Sequence, residues 1–97
     1  MRRHLTPTEV CERLIGRPEV LSGIVGLQAK AAYGWRHGNA MRDAGDILPR
    51  HARALLVHSA ARGLGLTAEQ LLFGASEDEI DAILAKRIAP APGAVAA

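Results

Sequence analysis

The stretch VLSGIVGLQAKAAYGWRHG, Val20–Gly38, holds the chain's only Trp and only Tyr, sets basic residues around both, and contains no acid. Small Ser22 stands four residues before Gly26. Apolar Leu21, Val25 and Leu27 surround that glycine, and Ala32 and Trp35 follow three apart. Two short helices meeting at a tight turn need this arrangement. A small residue lets the helices approach, Gly takes the left-handed backbone of the turn, and apolar residues on either side fix the crossing. The pattern predicts one short helix opened by Pro18 and ended by Gly26, and another from about Gln28 to His37, ended by Gly38-Asn39.

Caps and breakers divide the rest of the chain the same way. "TPTE" reads as an N-cap at Thr6, a Pro in the first turn and Glu9 completing a capping box, with Val10, Cys11, Leu14 and Ile15 as the apolar face and Gly16 as the stop. After a loop at 39–46, Asp46 and Pro49 stand where a cap and a first-turn Pro belong. A longer helix is expected to run to about Arg62, burying Leu48, Ala52, Leu55, Leu56 and Ser59. Thr67 with Gln70 and Ser76 with Glu79 read as two further capping boxes. The last helix carries Ile80, Ile83, Leu84 and Ile88 on one face, with acids in its first turn and Lys86 and Arg87 in its last, as the helix dipole favours. The expectation is an all-α fold of five to six helices over residues 1–89, with a disordered Pro/Ala tail at 90–97.

Composition narrows the function classes. Ninety-seven residues make one small domain. Its modest core gives it something to gain from dimerisation. No stretch approaches the ~20 apolar residues of a membrane span, and the basic N-terminus lacks the apolar run of a signal peptide. One cysteine, Cys11, allows no internal disulfide and sits among core positions, so a cytoplasmic protein is expected. His51 and His58 are seven apart, but no Cys or carboxylate spacing completes a metal set with them. No phosphate loop, nucleophile–base pair or apolar carboxylate pair is present, so neither an enzyme nor a cofactor or small-molecule ligand is expected. Charge is uneven: residues 1–62 hold ten Lys/Arg against five Asp/Glu, +5, and residues 63–97 two against five, −3. A basic front and an acidic back suit a polyanion on one face only.

The segment from Val20 to Gly38 resembles the helix-turn-helix of phage Cro and lambda-type repressors. Gly26-Leu27 matches that family's turn glycine and following apolar residue, Gln28 the start of its recognition helix, and "GWRHG" the aromatic residue followed by polar residues and Gly. The likeness covers some 35–40 residues when Val10–Ile15 is counted as a support helix, and the half after Pro49 poorly. Ala32 departs from the Val or Ile usual at its position, which bears on how tightly the two helices pack. The resemblance implies a phage-related, dimeric, sequence-specific binder of double-stranded DNA, more readily a repressor than an activator. It would lay the third helix in the major groove of a palindromic operator.

With Ala32 and Trp35 inward, the outward residues would be Gln28, Ala29, Lys30, Tyr33, Gly34 and His37, beside Arg36 and with Asn39 just beyond. Gln28 suits an adenine edge, Lys30 guanine O6 and N7, and Ala29 a thymine methyl. Gly34 would allow close backbone approach. Tyr33, Arg36 and His37 suit phosphates. For Lys30 and Arg36 the alternative is a solvated helix face, and Arg50 and Arg53, near the start of the fourth helix, suit either further phosphate contacts or its solvent face. The rival reading is a small helical adaptor or antitoxin-like module that binds a protein. The apolar stripe of the last helix fits either a homodimer contact or packing on its own domain.

Overall fold

A computed structural model describes residues 3–88; the tail expected at 90–97 lies outside the described residues. Five α-helices carry the fold: α1 (Pro7–Leu14), α2 (Pro18–Ile24), α3 (Pro49–Arg62), α4 (Ala68–Phe73) and α5 (Glu77–Ile88). A 3-10 helix (Ala31–Arg36) lies between α2 and α3. Two short strands, β1 (His4–Leu5) and β2 (Ala75–Ser76), pair antiparallel with Leu5 opposite Ala75. Among the described residues the architecture is therefore helical, with one minimal sheet that the sequence pattern did not disclose. Two residues are too few to show alternation.

The caps fall largely where the sequence puts them. Thr6 accepts from the Glu9 amide at 3.2 Å, and a Glu9 carboxylate oxygen accepts from the Thr6 amide at 3.0 Å. Thr67 and Gln70 repeat this reciprocal box at 3.2 and 3.0 Å. The third box forms by half: Ser76 accepts from the Glu79 amide at 3.2 Å, while Glu79 accepts from the Gln70 side-chain amide at 2.8 Å.

The Asp46 cap is corrected. The residue before a proline is driven to extended backbone, so Pro49 in the first turn makes Leu48 the cap, at ψ 143 and with no side-chain bond. Leu48 correspondingly stays 41% exposed rather than buried, and His51 takes the inward position beside Leu55 and Ser59.

The core gathers Leu5, Val10, Leu14, Leu21, Leu55 and Ile80, each fully buried. Cys11 is buried with them, and desolvation, helped by Glu12, pushes its thiol up to about 12, the state of an inert core residue. On α5, Ile80 is buried and Ile83 and Leu84 pack against the same core, so these stripe residues serve their own domain; the Ile88 side chain lies outside the described residues. Arg87 adds a tie, donating to the Leu14 carbonyl at 2.8 Å and the Leu64 carbonyl at 3.3 Å. Near the N-terminus, Arg3 and Glu77 exchange backbone and side-chain bonds at 2.9 and 3.3 Å. The Glu77 carboxylate also meets Arg13 at 3.3 Å. The Arg3 amide and then Arg13 hold the Glu77 carboxyl below its ordinary value.

Candidate nucleic-acid interface

At the turn after α2, Gly26 takes φ +79, a left-handed conformation that a side chain disfavours. The Leu27 amide then reaches back to the Ser22 carbonyl at 2.9 Å, which closes α2. The helix expected from Gln28 is corrected. Residues 28–30 form a non-helical turn, and regular structure begins only at Ala31, as a 3-10 helix in which the Tyr33 amide donates to Lys30 and the His37 amide to Gly34. The physical reason is length and composition. Between Gly26 and Gly38, with Gly34 in the middle, too few α-type bonds exist to offset the cost of nucleating a helix, and 3-10 geometry serves short segments.

Ser22 positions this helix. Fully buried, its hydroxyl accepts the Ala32 amide at 2.9 Å, so a side chain from α2 satisfies an amide at the start of the 3-10 helix that has no partner within it. Ala32 and Trp35 turn inward, 0% and 7% exposed, as the spacing predicts. The Trp35 ring stacks on His51 of α3, centroids 5.7 Å apart and planes 20° apart. Burial, with Arg50 adding to it, lowers the His51 pKa, and its Nδ1 has no partner. Arg42 ties the far end down. Its guanidinium donates to the carbonyls of Gly34, Trp35, His37 and Asp46 at 2.9–3.1 Å, and of Asp43 at 3.3 Å. A guanidinium gathered onto the last carbonyls of a helix also complements its dipole.

The structure separates the candidate residues into two groups. Gln28, Ala29, Lys30, Gly34, His37 and Asn39 are exposed; Gly34 has open space where a side chain would stand, and Asn39 is also engaged through its side-chain oxygen, which accepts the Met41 amide at 2.8 Å. Tyr33 and Arg36 are tied to acids on the preceding helices. The Tyr33 hydroxyl donates to Glu19 at 2.9 Å, which raises the Tyr33 pKa. The Glu19 carboxyl is held low by its own amide and then by this bond. Arg36 grips Glu12 with two nitrogens at 2.7 and 3.0 Å and lies 5.2 Å above the Tyr33 ring.

Beside Arg36, a cleft of about 430 Å³ is lined by Thr6, Glu9, Glu12, Ala44 and Gly45. Its carboxylates already hold Arg3 and Arg36, so its chemistry is that of satisfied ion pairs.

Sequence reasoning missed three positioning groups. Ser22 reads as a small spacer, although a hydroxyl there has a further use. Arg42 and the pairing of Glu12 with Arg36 leave no local signal, because the first acts through loop geometry and the second spans 24 residues. Among the described residues no group of three or more His, Cys, Asp or Glu could hold a metal, and no helix is long and apolar enough to cross a membrane. Comparison with family models, curated proteins and solved structures found no match to this chain.

Proposed function

We propose that the protein is a sequence-specific binder of double-stranded DNA that regulates transcription as a dimer, reading bases with the segment from Gln28 to Asn39. The observation that carries this reading is the exposed run Gln28-Ala29-Lys30. It follows a glycine-closed turn and leads into a 3-10 helix that the Ser22 hydroxyl, the Trp35 stack on His51 and the Arg42 guanidinium tie to the rest of the fold. A pre-organised support for a few polar side chains is what base reading requires, because only groups held in place discriminate hydrogen-bonding patterns at the groove floor. No acid lies between Val20 and Asn39, which suits approach to phosphate.

The shortness of the 3-10 helix refines the mode of contact. Six residues at about 2 Å per residue span only ~12 Å, so the turn at 28–30 and the first helical residues would enter the groove together. Gln28 and Lys30 remain the base-reading candidates. Arg36, held by Glu12, is a weaker phosphate contact than its exposure suggests, since an approaching phosphate competes with a carboxylate already in place.

A salt titration with duplex DNA tests the proposal. Lys30→Ala should cost about 1–3 kcal/mol on a preferred site if Lys30 reads a base. If it meets only phosphate, all sequences should weaken together and the salt slope fall by about one unit. Absence of any binding to duplex at about 50 mM salt would remove the proposal, since non-specific affinity is visible there. The adaptor reading would then lead.

A further inference from the structure

The helix α3 turns only part of its apolar surface toward the core, with Arg50, Arg53 and Arg62 interspersed on the exposed remainder. His51, Leu55 and Ser59 point into the core, yet Val57 remains 70% exposed, and Ala60 and Ala61 are exposed as well. Ala52 and Leu56 form one wall of a groove of about 180 Å³, and Ala68, Leu71 and Leu72 of α4 form the other. Leu72 and its neighbour Phe73 are 71% and 70% exposed. Leu48, which caps α3, is 41% exposed as well.

We infer that this α3–α4 face is where a second copy of the chain docks, making the dimer through these two helices and not through α5. Two observations select a second copy as the occupant. The charges fit a two-fold axis. Arg53 lines the groove on the α3 side, Glu69 stands on exposed α4, and both are unpaired among the described residues. A two-fold interface repeats every contact, so the Arg53 of each copy meets the Glu69 of the other and both charges are balanced within one self-complementary surface. Finally, the alternative stripe is spent, since Ile80, Ile83 and Leu84 of α5 already pack on their own core.

The inference rests on the dimeric reading above and names its surface. It is tested without DNA, so that its failure leaves binding by a single copy standing. The full chain is followed by sedimentation equilibrium from about 1 to 500 µM, alongside Leu72→Glu, Val57→Glu, Arg53→Glu and the exchange Arg53→Glu/Glu69→Arg. The expected result is a concentration-dependent mass rising from 10.3 kDa to twice that value. Leu72→Glu and Val57→Glu should each raise the dimer dissociation constant at least about tenfold. Because both sites are solvent-exposed, helicity by circular dichroism should be unchanged. Arg53→Glu should weaken the dimer and the exchange restore it. A wild-type mass that stays at 10.3 kDa throughout overturns the inference, and so does a dimer that Leu72→Glu and Val57→Glu leave intact.

Discussion

Replacing Ser22 by Ala removes one oxygen and tests whether the 3-10 helix is held from α2. Ser22 and Ala32 are both fully buried, and the bond between them is 2.9 Å long. Loss of an ordinary intramolecular hydrogen bond costs about 0.5–1.5 kcal/mol, but a buried amide left without a partner costs its desolvation as well, about 1–3 kcal/mol. The second figure applies, because Ala32 and the Ser22 hydroxyl that serves its amide are both fully buried. In a domain of this size about 1–3 kcal/mol lowers Tm by roughly 5–15 °C. Thermal unfolding measures the total, and amide hydrogen exchange locates it. The Ala32 amide should lose protection, whereas the Leu66 amide, held by the buried Ser59 hydroxyl at 3.1 Å, should change only with global stability. A Tm within about 2 °C of the parent, with Ala32 protection unchanged, would refute the argument.

Three other perturbations probe separate parts of the reasoning. Gly45, at φ +86, fits against the Thr6 side chain and accepts from the Thr8 amide at 2.9 Å; Gly45→Ala adds a methyl where Thr6 stands and should cost about 3 kcal/mol in a urea titration, a loss under about 1 kcal/mol refuting it. Burial, with Arg50, lowers the His51 pKa, so the unfolded chain takes up the proton first; this contribution to stability is complete above about pH 6.5, begins to be lost below that value and is gone once pH has fallen through the lower folded pKa. The urea midpoint should therefore drop between about pH 7.5 and 5.5 more for the parent than for His51→Gln, and equal drops would exclude the account. Glu12→Gln releases Arg36, so non-specific duplex affinity at low salt should rise about 3–10-fold and the salt slope steepen by about one unit, at little cost in stability because the pair is exposed; an unchanged slope would count against Arg36 as a phosphate contact.

The helices that the sequence made legible are those with local punctuation. Thr6–Glu9 and Thr67–Gln70 each place a hydroxyl three residues before an acid or amide, and both boxes form as the spacing implies. Pro18 and Pro49 mark first turns for the same reason: the ring fixes the backbone angle a helix needs. Legibility fails where a partner lies far away in sequence. The two-residue strands pair across some 70 residues, and His51 turns inward because Trp35 offers a ring to stack on. The segment from Gln28 misled in a different way. Its apolar spacing is helical, but the glycines at 26, 34 and 38 leave too few α-type bonds, and bonds from Ser22 and Arg42 hold the shorter, tighter helix that forms instead. Gln28, Ala29, Lys30, Gly34 and His37 stay exposed through this change, with Ala32 and Trp35 inward, whereas Tyr33 is half-buried against Glu19.

Folding also redistributes the charge on which a DNA-binding reading depends. Counted along the sequence, the first 62 residues carry +5. In the folded chain Arg3 is held by Glu9, Arg13 by Glu77, Arg17 by Glu19 and Arg36 by Glu12, at 2.7–3.6 Å, and Arg42 is consumed by five carbonyls. Exposed ion pairs of this kind add little stability, about 0–1 kcal/mol each, but they set which cations remain to attract a polyanion. Arg62, at the far end of α3, contacts His58 at 3.3 Å. Of the described residues up to 62, that leaves Lys30, Arg50 and Arg53, all exposed and unpaired among the described residues. If Arg53 balances Glu69 across a dimer, Lys30 and Arg50 are the unspent charges of this half of each copy, and only Lys30 stands in the acid-free segment. Few free cations mean a shallow salt dependence, a slope of about −2 to −4 per dimer. On the proposed DNA-binding reading, affinity would then come from contacts made by Gln28, Lys30 and the backbone around Gly34 more than from bulk charge.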